Sequence, residues 1–399
     1  MDQLQNPFTP GAGSRPYELA GRSELIEQAE LLMGRTLLGR FEKSMIMVGL
    51  RGVGKTVLLA HLEEKAKVAG FYTIAVECHE GKELPALLAS DMRRILIALD
   101  RSAAAHEIVK RGLRVAKSLF NGFKISYAGA EISVESEPGV ADSGDIEIDL
   151  PEALSALAEA ARVRGAGVAL LLDELQYLSD REFSALIMAM QRVAKTNAPL
   201  ILIGAGLPQI PGLAGESKSY AERLFNFPSV GPLAPADIER ALVDPVIHAG
   251  AVITQEAVAT IATLTKGYPY FIQEWGYHSW KVAPDKAIDQ ASVNLATPAV
   301  IRRLDDAFFR VRFDRLTPQE RNYLRALAEL GAGVQRSGDV AEVLGSKSQK
   351  LGPIRDRLIK KGMIYSPSHG DTEFTVPLFD AFMKRAIPDL PVPKTPGSS

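Results

Sequence analysis

Residues 44–56 constrain this chain more than any other stretch. The apolar run from Met45 to Val48 is short enough to be a buried strand, and it enters Gly49-Leu50-Arg51-Gly52-Val53-Gly54-Lys55-Thr56, which spells Gly-x-x-x-x-Gly-Lys-Thr. An amphipathic helix begins at once with Val57, Leu58, Leu59 and Leu62. Strand, loop and helix in that order are the context a phosphate-binding loop needs. Gly49, Gly52 and Gly54 let the backbone curl around a polyphosphate with no side chains in the way, so the amides themselves become ligands. Lys55 supplies a point charge for the β and γ phosphates. Thr56 offers a hydroxyl to Mg²⁺, and the helix adds the positive end of its dipole. The competing reading is a chance glycine-rich turn before a helix.

A chain of 399 residues is too long for one comfortable core, so about two or three domains are expected. Charged residues are 24% and hydrophobic ones 46%, ordinary for a soluble globular protein. The net charge of −2 means that any basic face is local and matched by an acidic one elsewhere. Cys78 is the only cysteine, which excludes an intramolecular disulfide and a cysteine-based metal cluster and fits a cytoplasmic protein. The N-terminus lacks the basic start and apolar core of a secretion signal. The longest apolar run, Pro199 to Leu213, is broken by glycines and prolines and too short to span a bilayer, so no membrane segment is expected.

Residues 1–16, rich in Pro and Gly, read as an extended leader. Leu19-Ala20-Gly21-Arg22-Ser23-Glu24 then opens a helix carrying Leu25, Ile26, Ala29, Leu32 and Met33 on one side. After the loop helix, Phe71 to Val76 reads as a strand and 84–104 as a helix. Between His106 and Lys124 five basic residues face Glu107 alone, and from Glu131 to Asp149 seven acidic residues stand with no basic one. The alternation at 124–127 and 131–135 suggests a ribbon of paired strands, so residues 106–149 read as an insertion. It could touch DNA or a neighbouring subunit, or be a solvated excursion whose charge blocks screen each other.

The run Gly167 to Leu172 reads as a central parallel strand buried on both faces, ending in Asp173-Glu174. Two carboxylates there stand where open α/β sheets bind ligands. In an ATPase, Asp173 would hold Mg²⁺ through water and Glu174 would polarise the attacking water. A helix over Phe183 to Lys195, a fourth strand at Leu200–Gly204 and a short fifth strand around Phe227 to Val230 complete the core. Arg223, just before that strand, either reaches a neighbouring subunit's γ-phosphate or pairs locally with Glu222 or Glu216.

From Pro235 to about Phe313 the pattern is helical, with Gly267-Tyr268-Pro269 starting one helix. Residues 315–388 read as three helices and a two-stranded wing, a winged helix-turn-helix with 12 Lys+Arg against 8 Asp+Glu. Its third helix and approach hold Lys347, Lys350, Arg355, Arg357, Lys360 and Lys361. Such clustering is the footprint of phosphate-backbone binding, although winged helices also serve as protein-contact modules.

The order of these parts resembles AAA+ ATPases over roughly residues 17–385: Leu19-Ala20-Gly21-Arg22, a Walker A loop at 49–56, a Walker B strand at 170–174, the Arg223 segment, a lid with Gly267-Tyr268-Pro269 and a terminal winged helix. The nearest groups are the archaeal origin-recognition initiators and prokaryotic ATPases allied to the signalling STAND class. The resemblance implies an α/β core at 17–234 with a five-stranded parallel sheet and the loop strand central, a helical lid at 235–314, a winged helix at 315–388 and a disordered tail at 389–399. It further implies ATP and Mg²⁺ as cofactors, with Gly21, Arg22, the loop residues 49–57 and Pro269 around the nucleotide, Thr56 and Asp173 on the metal, and Glu174, Lys55 and Arg223 in hydrolysis. Slow, switch-like turnover would control homo-oligomer assembly on duplex DNA or on a protein partner. Related ATPases carry a polar sensor at the end of the fourth strand, where this chain has Ala205 and Gly206. Gln209 is the nearest polar substitute. The Gly-x-Pro pattern is that of signalling ATPases, which points to a scaffold holding ATP as the alternative.

Overall fold

The computed structural model describes residues 1–11, 13–100, 106–123, 136 and 139–390. They form two compact units, one from Arg22–Gly49 and Lys55–Val230, the other from Met1–Gly21, Leu50–Gly54 and the chain from Gly231 onward. The ribbon expected at 124–135 and nearly all of the tail lie outside the described residues.

The first unit runs α1 (Ser23–Leu37), β1 (Ser44–Val48), α2 (Lys55–Ala69), β2 (Phe71–Glu77), α3 (Leu84–Leu99), α4 (His106–Gly122), α5 (Ile146–Arg162), β3 (Gly167–Asp173), α6 (Asp180–Thr196), β4 (Leu200–Gly206), α7 (Ile210–Ser217), α8 (Ala221–Leu224) and β5 (Phe225–Asn226). The strands form the expected five-stranded parallel sheet, in the order β2-β3-β4-β1-β5. The loop strand β1 is interior, flanked by β4 and β5, but the middle strand is β4, which corrects the expectation of a central β1. Composition accounts for this: β3 and β4 are unbroken apolar runs buried along their whole length, whereas β1 borders a strand of only two residues. Each fully buried aliphatic side chain contributes about 1.5–3 kcal/mol, so these inner strands are the rigid frame on which the loops at their ends are hung.

Local chemistry sets the helix ends. Ser179 and Glu182 form a reciprocal capping box at the start of α6, Ser179 N–H donating to Glu182 Oε2 at 2.8 Å, and Asn197 closes the helix in the left-handed region at φ 47°.

The basic stretch after residue 106 is not a solvated excursion. It is the amphipathic helix α4, whose Val109, Leu113, Ala116 and Phe120 enter the core beside α3 and α5. The helical spacing of those apolar residues was masked by the charges between them. Part of the following acidic block is also committed inside this unit. Buried Asp149 accepts the N–H groups of Ser143 (3.2 Å) and Gly144 (2.9 Å), and Asp145 pairs with Arg181 at 2.9 Å.

The second unit continues with α9 (Pro235–His248), β6 (Val252–Ile253), α10 (Gln255–Thr265), α11 (Pro269–Val282), β7 (Ala287–Ile288), α12 (Gln290–Arg303), a π-helical turn at Leu304–Phe309 and α13 (Arg310–Phe313). Then come α14 (Pro318–Leu330), β8 (Gln335–Arg336), α15 (Ser337–Val343), α16 (Ser348–Lys360), β9 (Ile364–Tyr365), β10 (Asp371–Phe374) and α17 (Phe379–Ala386). β8, β10 and β9 make a three-stranded antiparallel sheet, one strand more than the expected ribbon. One hydrophobic cluster runs through both halves of this unit and takes in Phe8. The expected leader is therefore anchored: Phe8 packs against Gly276, where a Cβ would come within 2.6 Å of its ring, and Trp280 donates its indole N–H to Asp2 O at 2.8 Å.

Candidate functional site

Parallel register brings the carboxyl ends of β1, β4 and β3 side by side, with Val48 opposite Gly206 and Leu172 opposite Gly204. Everything that follows those strand ends emerges at one edge of the sheet.

From β1 the chain turns through Gly49 into the loop. Gly52 and Gly54 sit at φ 82° and φ 90°, conformations that favour glycine. Lys55 opens α2 and is buried, its Nζ donating to Gly49 O at 2.8 Å, so the ammonium folds back across the mouth of its own loop. Leu50–Gly54 groups with the second unit, where Arg51 N–H donates to Thr375 O at 3.1 Å and Gly52 O accepts from Tyr270 N–H at 3.3 Å.

From β3 comes Asp173, buried, with both carboxylate oxygens engaged. Thr56 Oγ1 donates to Oδ2 at 2.6 Å and Glu174 N–H to Oδ1 at 2.8 Å. Burial pushes the Asp173 carboxyl above its ordinary value, against the opposing pull of the Thr56 hydrogen bond. Glu174 adopts the left-handed region at φ 54°, ψ 43°, unusual for a residue with a Cβ. The Thr56 hydroxyl and Asp173 carboxylate are hard oxygen donors, the chemistry that suits Mg²⁺. Among the described residues no group of three or more His, Cys, Asp or Glu could cage a metal ion. A cation at this pair would draw its remaining ligands from phosphate and water, as Mg²⁺ does. Cys78, whose N–H donates to Asp173 O at 3.0 Å, is buried beside these carboxylates, and burial pushes its thiol up to about 12.

Among the other residues singled out from sequence, Arg22 is buried at the start of α1 and Val57 is half-buried in α2. Gly21, at φ 68°, is packed so that a Cβ would meet the Asp237 carboxylate at 2.7 Å. Pro269 is the first residue of α11, after Gly267 at φ 76°. Arg223 is exposed in α8 and, among the described residues, pairs with neither Glu222 nor Glu216. Gln209 precedes α7 with its Oε1 buried and without a hydrogen-bond partner among the described residues.

The six basic residues of the C-terminal module divide into two groups. Arg355 spends its guanidinium internally, on Thr372 Oγ1 (3.0 Å), Ser366 Oγ (2.7 Å) and Asp371 O (2.8 Å). Lys361 donates to Glu320 Oε2 at 2.7 Å and Arg357 lies 3.5 Å from Glu320 Oε1. Glu320 also completes the capping box with Thr317 at the start of α14. Lys347, Lys350 and Lys360 are exposed and make no ion pair among the described residues.

Sequence reasoning missed Gln176. It lies in a one-turn 3-10 helix, Leu175–Tyr177, and its amide donates to Glu174 Oε2 while its Oε1 accepts the Leu207 N–H at 3.2 Å. A polar residue two places after a carboxylate carries no pattern that distinguishes it; only the docking of the turn on β4 reveals the contact.

Residues 18–203 match the AAA ATPase domain, and residues 306–383 match a domain of unknown function, DUF8462. No curated protein matches the sequence. Among solved structures, the Walker-type ATPase PABY2304 of Pyrococcus abyssi is similar at TM-score 0.59 and 16% identity, covering 93% of this chain and 97% of its own. The Aeropyrum pernix Orc1 protein in complex with DNA aligns at TM-score 0.47 and 14% identity, over 93% of this chain and 94% of its own. Cdc6p from Pyrobaculum aerophilum aligns at TM-score 0.47 and 17% identity, over 96% and 97%. No described helix is long and apolar enough to cross a membrane. Residues 18–203 therefore carry the match to the AAA ATPase domain, and the parallel sheet of the first unit is built within and just beyond that stretch.

Proposed function

We propose that the protein is a cytoplasmic, slow ATPase switch that binds Mg·ATP at the 49–57 loop and hydrolyses it to control assembly on duplex DNA or a partner. One observation carries the reading: the Thr56 hydroxyl, at the first turn of α2, meets the Asp173 carboxylate at the end of β3 at 2.6 Å, beside buried Lys55. The bound metal would neutralise charge on the phosphates, held by Thr56 and Asp173. Lys55, released from Gly49 O, would place its ammonium on the β and γ phosphates. The loop amides would cradle the chain of phosphates, and Glu174 would polarise the attacking water. Gly21, Arg22 and Pro269 are read as flanking the base, and Arg223 as reaching the γ-phosphate of a neighbouring copy. Residues 17–234 are then the catalytic core, 235–314 a lid and 315–388 a winged helix that contacts DNA through exposed lysines. Glu174→Gln tests hydrolysis: ATP stays bound while turnover falls by about 100-fold or more. Parental turnover in that variant would remove Glu174 from the mechanism.

A second reading has its own support. Arg355, Arg357 and Lys361, half of the basic cluster, are committed to contacts inside the module. That favours a scaffold that holds ATP and uses the C-terminal module as a protein dock. Particle size and DNA retention, measured with ATP, ADP and no nucleotide, separate the two. Nucleotide-dependent DNA retention supports the first, and copurified nucleotide without turnover or DNA shift supports the second.

A further inference from the structure

We infer that Gln176 is a positioning residue that fixes the Glu174 carboxylate relative to the end of β4; this rests on the reading of Glu174 as the residue that polarises water. The Gln176 side chain bridges two elements. Its Oε1 accepts the N–H of Leu207, the residue that follows β4, at 3.2 Å, and its amide nitrogen donates to Glu174 Oε2. The orientation of the amide is not free. A backbone N–H can only donate, so Leu207 claims the oxygen, and the planar amide must turn its nitrogen toward the carboxylate, which can only accept.

The fold makes room for this bridge. Gly204 and Gly206 stand two apart in β4 and so share one face of the strand. A Cβ at 204 would come within 2.5 Å of Leu175 Cδ1, and one at 206 within 3.3 Å of Gln176 Oε1 and 2.8 Å of Ile210 Cγ1. Both glycines therefore clear the surface on which the 175–177 turn lies. Glu174 is held from its other side as well, by its own N–H on Asp173 Oδ1 at 2.8 Å, in a left-handed backbone conformation. A carboxylate that must orient one water loses rate steeply when its position is soft. Gln176 removes that softness by tying the carboxylate to a strand that is buried throughout.

Two variants separate this role from bulk stability. Gln176→Leu keeps the volume and loses both hydrogen bonds. Gln176→Glu keeps an acceptor for Leu207 but presents a second carboxylate to Glu174 in place of the donor. Both should lower kcat by about 10- to 100-fold while the KM for ATP and the Kd for ADP stay close to parental values and the melting temperature falls only by the few degrees that one unsatisfied N–H accounts for. In a Glu174→Gln background, Gln176→Leu should add no further loss of kcat, because it acts through Glu174. Parental kcat in Gln176→Leu overturns the assignment, and so does a loss of kcat accompanied by equal losses of ADP affinity and melting temperature. Glu174→Gln at parental turnover, or a parent protein with no turnover, would remove the underlying reading and this assignment together. Glu174→Gln inactive with Gln176→Leu fully active would remove this assignment alone.

Discussion

Thr56 Oγ1 donates a 2.6 Å hydrogen bond to Asp173 Oδ2, across 117 positions of sequence. That bond joins the start of α2 to the end of β3 and satisfies one oxygen of a buried carboxylate. Thr56→Ala leaves that oxygen without its donor, at a cost of about 1–3 kcal/mol. It also removes a proposed metal ligand, so Mg²⁺-dependent ATP affinity should fall about 10- to 100-fold. Thr56→Ser keeps the hydroxyl and should behave as parent. Titration of a fluorescent ATP analogue with and without Mg²⁺ reads both, and a serine variant as weak as alanine would show that the hydroxyl is not what matters.

Asp173 carries a stability cost that its proposed role explains. Burial raises its carboxyl above the ordinary value, so the folded protein holds that proton to higher pH than the unfolded chain does. Folding stability is therefore lost as pH rises from the unfolded value through the folded one, and the loss persists above it. Asp173→Asn is free of this term. Without nucleotide, its melting temperature should match the parent at the acid end and exceed it increasingly toward neutral pH, by about 2–4 °C per kcal/mol relieved. The same variant should lose Mg²⁺-dependent nucleotide binding. Thermal melts across a pH series check the sign, and a gap that narrows with rising pH would contradict it.

The phosphate loop, the acidic end of β3 and the first four strands were legible because each rests on a local rule: glycine conformations, a Lys-Thr pair, unbroken apolar runs. The fifth strand, expected around Phe227 to Val230, is instead Phe225–Asn226, too short to carry a pattern of its own. What escaped is set by contacts between distant segments. Phe8 reads as part of an extended leader because its partner, Gly276, lies far along the chain. Gln176 is meaningful only once β4 presents Leu207 beside it. Helix α4 was hidden differently, since its cations dominate the composition while Leu119 and Phe120 are fully buried.

That last correction has a direct consequence. If α4 were a solvated excursion, truncating Leu119 would be nearly silent, within about 0.5 kcal/mol. As part of the core cluster, Leu119→Ala should instead destabilise the protein by about 2–5 kcal/mol. Denaturant unfolding of the variant against the parent distinguishes the two.

The DNA-binding proposal needs variants that do not unfold the module they probe. Arg355→Ala is unsuitable, because Arg355 bonds Thr372, Ser366 and the Asp371 carbonyl, and its loss removes three charge-assisted hydrogen bonds between α16 and the sheet. Any fall in DNA binding by that variant would report a damaged sheet. Lys347 and Lys350 are exposed, and their replacement should leave stability within about 0.5 kcal/mol of the parent. If they meet phosphates, Lys347→Ala with Lys350→Ala should weaken DNA binding across all sequences. It should also flatten the dependence of log K on log salt concentration by about 0.9 for each phosphate that is no longer neutralised. Binding isotherms at several salt concentrations, with a melting curve on the same sample, provide the test. Unchanged affinity and slope in a fully folded variant would take these two lysines off the DNA, and the same result after adding Lys360→Ala, the remaining exposed and unpaired cation of the cluster among the described residues, would leave the C-terminal domain as a protein-contact surface.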